Sequence, residues 1–355
     1  MRILFLGGTG FVGRHMVAAA LNRKHQVTLF NRGKTADAGL FPNASRILGN
    51  RDGGLAALDD QRWDAVVDVN GYLPRLVRDS TQRLQSRTAR YLYVSTGSVY
   101  DLKSIHGNVG EDAPLVQAED PESQVYWGKE YGALKLLCEE VVEEAFPGQS
   151  TVLRLGVVAG PYDPTDRVTY WAARIAQGGE VLIPASPEQK IRFIDARDLA
   201  EFAILALEKN LNGIYNTLGN VLTWKEWTQA CQTAGGGDAK LTWVGDEKFI
   251  QESMPASTRP FGALPMMPSF LRSLSLINSD KALAAGLRYR PAVETARDVL
   301  TWHRTRRLVE SEDTVAPEKS IRDAFDWGPP SQEAHWVAGL TRKQEATLLQ
   351  KWHSQ

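Results

Sequence analysis

Residues 1–13 read MRILFLGGTGFVG, and their reading decides the fold. Arg2 to Leu6 is a short apolar run, the pattern of a strand covered on both faces. It stops at Gly7, and Gly10 and Gly13 complete a G-x-x-G-x-x-G spacing. Phe11, Val12 and then Val17 to Leu21 continue as a helix. A tight strand-to-helix turn needs positive φ, which glycine tolerates. Backbone N–H groups reach a pyrophosphate at the helix N-terminus only where no Cβ intervenes. The glycine pattern alone is weak evidence. Here it follows a strand, opens a helix and precedes a second strand at Gln26 to Phe30. That context predicts a dinucleotide site with Gly7, Gly10, Phe11, Val12 and Gly13 on its pyrophosphate side.

The end of the second strand bears on which dinucleotide. A carboxylate there would bond the adenosine ribose hydroxyls of NAD. This chain has Asn31, Arg32, Gly33 and Lys34 instead. No carboxylate repels a 2′-phosphate, and Arg32 offers a planar donor fork suited to one. The expected cofactor is NADP(H), with NAD(H) as the alternative. The plainer reading makes Arg32 and Lys34 ordinary solvated loop charges.

About a hundred residues further on stands EYGALK, residues 130–135. Tyr131 and Lys135 are four apart, so on a helix they share a face. A free phenol has a pKa near 10, about three units above neutrality, which is roughly 4 kcal/mol. A neighbouring ammonium and a positive nicotinamide ring favour phenolate and can supply that shift. Upstream, the apolar run Tyr91 to Val94 ends in Ser95, Thr96 and Ser98. A hydroxyl at the carboxyl end of a central strand can hold a substrate oxygen beside the tyrosine. A Y-x-x-x-K pair standing alone would be no more than a surface pair.

Taken together, GGTGFVG at 7–13, YVSTGSVYD at 93–101, YGALK at 131–135 and LRLGVVAGPYDPTDR at 153–167 resemble the extended short-chain dehydrogenase/reductases of the NAD-dependent epimerase/dehydratase superfamily. RFIDARDLA at 192–200 and SDKALAAGLRYRP at 279–291 extend the resemblance over nearly the whole chain. It is nearest in flavour to a bacterial group labelled isoflavone-reductase-like. The resemblance implies Tyr131 as acid/base, Lys135 as its partner and ribose clamp, and Thr96, rather than Ser95, as oxygen holder. It also implies that Asp52 contacts adenine. Two departures weaken a nucleotide-sugar reading: Asn31 stands in place of an acid, and VDVNGY at 67–72 in place of H-x-A-A. Asn70 and Gly71 still resemble a loop beside the cofactor ribose; the plain alternative is a strand-to-helix turn.

Further strands are expected at Trp63 to Val69 and Ser150 to Val158, with a helix at Leu73 to Leu84. This alternation predicts an α/β Rossmann fold, a doubly wound parallel sheet, with a smaller C-terminal substrate lobe. Residues 1–160 form the dinucleotide domain, to which 191–219 return, and 161–307 form mainly the substrate lobe over the nicotinamide end. Within that lobe, 255–278 reads equally as a substrate flap or a plain loop. Residues 308–355 combine a charged, flexible stretch with a helix opened by Thr341 and Gln344 as a capping box. Trp336 and Trp352 are its expected anchors.

A chain of 355 residues with net charge −1 gives no electrostatic reason to expect nucleic-acid or membrane binding. No run approaches the roughly 20 apolar residues of a membrane span, and the N-terminus is itself the first strand, so a cytoplasmic enzyme is expected. Cys138 and Cys231 make no disulfide framework, and the six histidines lack ligand spacing, so no metal is expected. A homodimer is compatible with the reading.

Trp127 and Trp171 are candidates for an apolar substrate wall, against the blander reading of core tryptophans. Asp163, Asp166 and Arg167 follow the sheet's carboxyl edge, and Arg192 can also reach the cleft; capping and local salt bridges are the alternative. The function expected is NADP(H)-dependent hydride transfer to or from a carbonyl or alcohol carbon of a small organic molecule. The runner-up is a nucleotide-sugar epimerase or dehydratase. A third reading is a cofactor-binding RNA-associated or regulatory protein, since plastid RNA-binding relatives use this fold; the near-zero charge and the Tyr-Lys pair count against it.

Overall fold

The computed structural model describes residues 1–34, 39–105, 107–126, 128–253, 266, 274–306 and 338–355. The chain divides into two units. The first is Met1–Val158, Ala196–Gly219 and Leu276–Tyr289; the second is Ala159–Asp195, Asn220–Ser275 and Arg290–Gln355.

The chain opens with β1 (Arg2–Leu6), α1 (Phe11–Asn22), β2 (Gln26–Asn31), β3 (Ser45–Leu48), β4 (Ala65–Asp68) and α2 (Pro74–Leu84). β5 (Tyr91–Thr96), α3 (Glu130–Ala145), β6 (Ser150–Leu155) and β7 (Val158–Ala159) follow. The second unit then supplies α4 (Thr169–Ala176), β8 (Glu180–Ile183), β9 (Lys190–Arg192) and β10 (Ile194–Asp195). α5 (Ala196–Glu208) and β11 (Gly213–Thr217) return to the first unit. Beyond them come β12 (Val221–Thr223), α6 (Trp224–Gly235), β13 (Lys240–Trp243), α7 (Glu247–Ser253), α8 (Asp280–Ala285), α9 (Ala292–Thr305) and α10 (Arg342–His353).

The first unit is a seven-stranded sheet in the order β11-β6-β5-β4-β1-β2-β3, parallel throughout. It is a Rossmann fold. α1 packs beside α5, and α2 beside α3. Helical cover explains why β4, β5 and β6 are buried at every residue. The strand order reverses between β1 and β4, which pair Ile3 with Ala65 and Leu6 with Asp68. In such sheets ligands lie outside the carboxyl ends at that reversal.

Residues 276–289, placed in the substrate lobe on sequence, belong to the first unit. Their polar side chains explain the difference. Ser279 Oγ accepts the Leu218 N–H at 3.0 Å, Tyr289 Oη donates to the Leu218 carbonyl at 2.6 Å, and Asn278 Nδ2 donates to the Val109 carbonyl at 3.0 Å.

The second unit packs α4, α6 and α9 together. Trp171, Trp224 and Trp227 are fully buried there. α10 carries the expected capping box, with Thr341 and Gln344 exchanging hydrogen bonds. Its Glu345 forms a buried ion pair with Arg174 at 2.6 Å, and Trp352 packs on Phe249 at 5.1 Å between ring centroids. Trp336, Trp127, the charged stretch 311–320 and most of 255–278 lie outside the described residues.

Candidate active site

The glycine turn forms as its spacing implies. Gly7 and Gly8 take φ of +102° and +92°. A Cβ on Gly7 would stand 2.9 Å from Val69 Cγ2 and 3.1 Å from Asn70 Nδ2; one on Gly13 would stand 2.8 Å from the Gly8 Cα. A side chain at Gly7 would therefore meet Val69 and Asn70, and one at Gly13 the Gly8 backbone, while the positive φ at Gly7 and Gly8 favours glycine. α1 begins at Phe11 with no side-chain cap and no acid in its first turn. Its leading N–H groups and the positive end of the helix suit an anion.

At the end of β2, Asn31 Oδ1 accepts the Gly33 N–H at 3.0 Å, while Asn31 Nδ2 is buried with no hydrogen-bond partner. A buried unpaired amide donor is costly and suits a ribose hydroxyl oxygen. Arg32 and Lys34 are exposed. Asp52 is also exposed, in bidentate contact with Arg75 at 2.8 and 3.0 Å, and those hydrogen bonds hold its carboxyl below the usual range. These features fit a dinucleotide.

The chemical end is assembled by one glycine that sequence reading passed over. Gly132 lies between Tyr131 and Lys135, and a Cβ there would stand 2.1 Å from the Ser98 carbonyl oxygen. The first turn of α3 thus lies directly on the backbone of the hydroxyl-bearing segment. Glycine inside a helix costs about 1 kcal/mol relative to alanine, so its place between two chemical residues is a readable signal. Thr96 caps a short 3₁₀ turn, Gly97–Val99, by accepting the Ser98 N–H at 3.2 Å, and it donates to Ser98 Oγ at 3.2 Å.

Lys135 is 2% exposed. Its ammonium donates to the carbonyls of Gly71 at 2.7 Å and Val94 at 2.6 Å, and stands 4.2 Å from the Tyr93 ring centre and 5.2 Å from that of Tyr72. Burial pushes its pKa down to about 8, against the opposing pull of Cys138, Asp68 and Glu139. Two of the three ammonium donors are taken, which leaves one for a ribose hydroxyl. Tyr131 is half-buried beside Tyr72, with ring centres 6.5 Å apart, and Tyr72 in turn stacks on Tyr126 at 5.2 Å. Burial, and then the neighbouring Tyr131, raises the Tyr72 phenol well above its ordinary value, so Tyr72 stays neutral.

For Ser95 and Trp171 the structure favours the plainer of the two readings. Ser95 donates to buried Glu139, which Arg154 holds at 2.7 Å, so its hydroxyl serves that ion pair. Trp171 is fully buried, edge-on to Trp224 at 5.0 Å; enclosed by the second unit's own core, it cannot present a substrate wall. Arg192 is 8% exposed on β9, paired with β12. In the loop after β7, Asp163 Oδ1 accepts two hydrogen bonds from Thr165, at 2.8 and 2.7 Å, and Arg167 donates to the Thr165 hydroxyl at 3.0 Å. Asp163 Oδ2 is buried without a partner, and burial raises the pKa to about 6. Asp166 is gripped by Arg306 at 2.5 and 3.1 Å. Among the described residues no cluster of His, Cys, Asp and Glu could hold a metal, and no helix is long and apolar enough to cross a membrane.

A reversed-order parallel sheet and a glycine turn make up a dinucleotide-type Rossmann fold, and a Tyr-x-x-x-Lys helix is laid on its hydroxyl loop. The chain belongs to the NAD dependent epimerase/dehydratase family, whose model matches residues 3–217, more than half of its length. The chloroplast stem-loop binding protein of 41 kDa b of Arabidopsis thaliana is 29% identical over 66% of this chain and 63% of its own length, so less than two thirds of that relative is spanned. The dTDP-6-deoxy-L-talose 4-dehydrogenase (NAD(P)(+)) of Kitasatospora kifunensis is 30% identical over 58% of this chain and 69% of its own. Among solved structures, the Bordetella bronchiseptica enzyme WbmH in complex with NAD+ covers 86% of this chain and 98% of its own at 17% identity and a TM-score of 0.62, a likeness of fold.

Proposed function

We propose that this chain is an NADP(H)-dependent oxidoreductase acting on a carbonyl or alcohol carbon of a small organic molecule. The observation that carries the reading is Gly132, whose missing Cβ lets Tyr131 and Lys135 sit on the segment bearing Thr96 and Ser98. The dinucleotide, when bound, supplies or accepts the hydride. Gly7, Gly10, Phe11, Val12 and Gly13 would hold its pyrophosphate, Asn31 its adenosine ribose, and Arg32 and Lys34 a 2′-phosphate. Lys135 would take the nicotinamide ribose.

In the reducing direction Tyr131 donates its phenolic proton to the substrate oxygen. The Thr96 hydroxyl orients that oxygen, and exposed Ser98 is near enough to Thr96 to share the task. The Lys135 ammonium, fixed by the Gly71 and Val94 carbonyls, favours the phenolate that Tyr131 becomes. In the oxidising direction the same phenolate removes the alcohol proton.

The dTDP-sugar dehydrogenase among the relatives supports including nucleotide sugars as substrates to be tried. It also keeps the epimerase reading in view, in which the cofactor would show no net change. The stem-loop binding relative supports an RNA arm. The test is a carbonyl panel of aromatic ketones, aliphatic ketones and dTDP- and UDP-sugars, with NADPH consumption recorded for wild type and Tyr131→Phe. Net consumption lost in the variant supports the reading; sugar interconversion without net consumption replaces it by an epimerase, and stem-loop RNA binding with no turnover replaces it by the RNA reading.

A further inference from the structure

Arg51 and Asp68 form an ion pair that the chemistry above does not use. Arg51 lies in the turn after β3, closed by the Gly54 N–H on the Asn50 carbonyl at 2.8 Å, and adjoins Asp52 on the expected adenine side. Its guanidinium turns inward. It donates to Asp68 Oδ1 at 2.6 Å and Oδ2 at 2.5 Å, to Ser80 Oγ at 2.7 Å and to the Leu76 carbonyl at 3.1 Å. Asp68, the last residue of β4, is fully buried. It also accepts from Tyr91 Oη at 2.7 Å and from the Asn70 N–H at 3.1 Å. The Asn70 bond sets the turn whose next residue, Gly71, presents its carbonyl to Lys135 Nζ at 2.7 Å and to Tyr93 Oη at 2.7 Å. The Asn70 side chain meanwhile lies over Gly7.

We propose that Arg51 and Asp68 are a positioning pair that joins the adenosine-side turn to the turn carrying the catalytic lysine, so that the two ends of the dinucleotide cradle are set as one piece. The inference rests on the dinucleotide reading above. Stability alone is a poor reason for such a pair, since buried ion pairs are often replaceable by apolar residues of similar volume at no loss. Its location is the better reason. The pair sits under the point where the strand order reverses, and each of its ends borders a cofactor-side turn.

Asp68 also acts on Lys135 by charge. The groups facing the Lys135 ammonium are Asp68 from β4, Cys138 and Glu139 from its own helix, Arg51 from the β3 turn, and the rings of Tyr72 and Tyr93. Asp68 favours the ammonium and Arg51 opposes it. Deleting the Asp68 charge therefore lowers the pH at which Lys135 loses its proton.

The experiment measures NADPH affinity against pH by fluorescence titration without substrate, so an error in substrate class does not touch it. In wild type, affinity should fall as pH rises through about 8. Three variants are compared, with thermal melting as the fold control: Arg51→Met/Asp68→Leu, Asp68→Asn and Arg51→Lys. The double variant should melt near wild type yet bind NADPH about tenfold or more weakly. Asp68→Asn should move the affinity fall about half a pH unit or more to lower pH. Arg51→Lys, which keeps one charged contact, should recover part of the lost affinity. If the double variant does not fold, Asp68→Asn and Arg51→Lys decide. Wild-type affinity and an unmoved pH midpoint in the folded variants overturn the proposal. Absence of both NADPH and NADH binding in wild type itself overturns the dinucleotide reading instead, and the inference with it; binding of NADH alone moves the same comparison to NADH.

Discussion

Gly132→Ala sets two effects of opposite sign against each other. Intrinsic helix propensity favours alanine by about 1 kcal/mol, so on an ordinary helix the change would stabilise. Here the new Cβ would stand 2.1 Å from the Ser98 carbonyl oxygen and 2.8 Å from its carbon. Close C···O contacts lie near 3.3 Å. The first turn of α3 must then retreat from Ser98 by about 1.2 Å. Both neighbours are backbone, so no flexible side chain absorbs the strain. Overpacking of this kind costs about 1–3 kcal/mol, which at least cancels the propensity gain and leaves the variant less stable by up to about 2 kcal/mol. The displacement also moves Tyr131 and Lys135 relative to Thr96, and a shift of about 1 Å at reacting groups can cost on the order of 10²-fold in turnover. Urea unfolding gives the first quantity and NADPH consumption with an identified substrate the second. A variant more stable than wild type with undiminished turnover would refute the argument that this glycine assembles the site.

Three further outcomes are expected. Arg32→Asp places a carboxylate where a 2′-phosphate would lie, so NADPH affinity should fall and NADH affinity hold or rise; tighter NADH binding in wild type would remove the basis for the NADP(H) preference. Tyr131→Phe keeps the ring and removes the proton, so turnover should fall roughly 10²–10⁴-fold with cofactor binding retained, whereas Lys135→Met should lose both; equal binding losses in the two would contradict the division of roles. Asp163 has a folded pKa of about 6 against 3.8, so the folded form holds its proton more firmly and stability is lost as pH rises from about 4 through 6. Asp163→Asn should therefore stabilise the protein above pH 6, by at most about 3 kcal/mol, with the gain vanishing near pH 4. The same gain at both pH values would show that charge is not its cause.

Local features of the sequence were legible because their causes are local. The apolar run of β1, the glycine turn and the α10 capping box each act over a few residues, and each forms where the sequence places it. The apolar stretches that open β4 and β5 likewise marked strands. Other features depend on partners distant in sequence. Ser95 and Thr96 are adjacent and chemically alike, yet Ser95 serves Glu139, 44 residues away. Trp171 looks the same in sequence whether it lines a cleft or fills a core; the edge-on contact with Trp224 decides, and nothing near residue 171 reports it. Arg51 drew no reading from the sequence, because its counter-ion Asp68 lies 17 residues on, at the end of a buried strand. Ser279 and Tyr289 join the first unit through the Leu218 backbone, a contact no periodicity encodes.

The most direct measurement is the absorbance of NADPH during turnover, followed together with product formation for each member of the carbonyl and sugar panel. An oxidoreductase that releases its cofactor each cycle consumes one NADPH per product, and Tyr131→Phe abolishes both signals. Product formed from a nucleotide sugar with the NADPH level unchanged, and lost in the same variant, would contradict the proposed reaction while leaving Tyr131 as the acid/base.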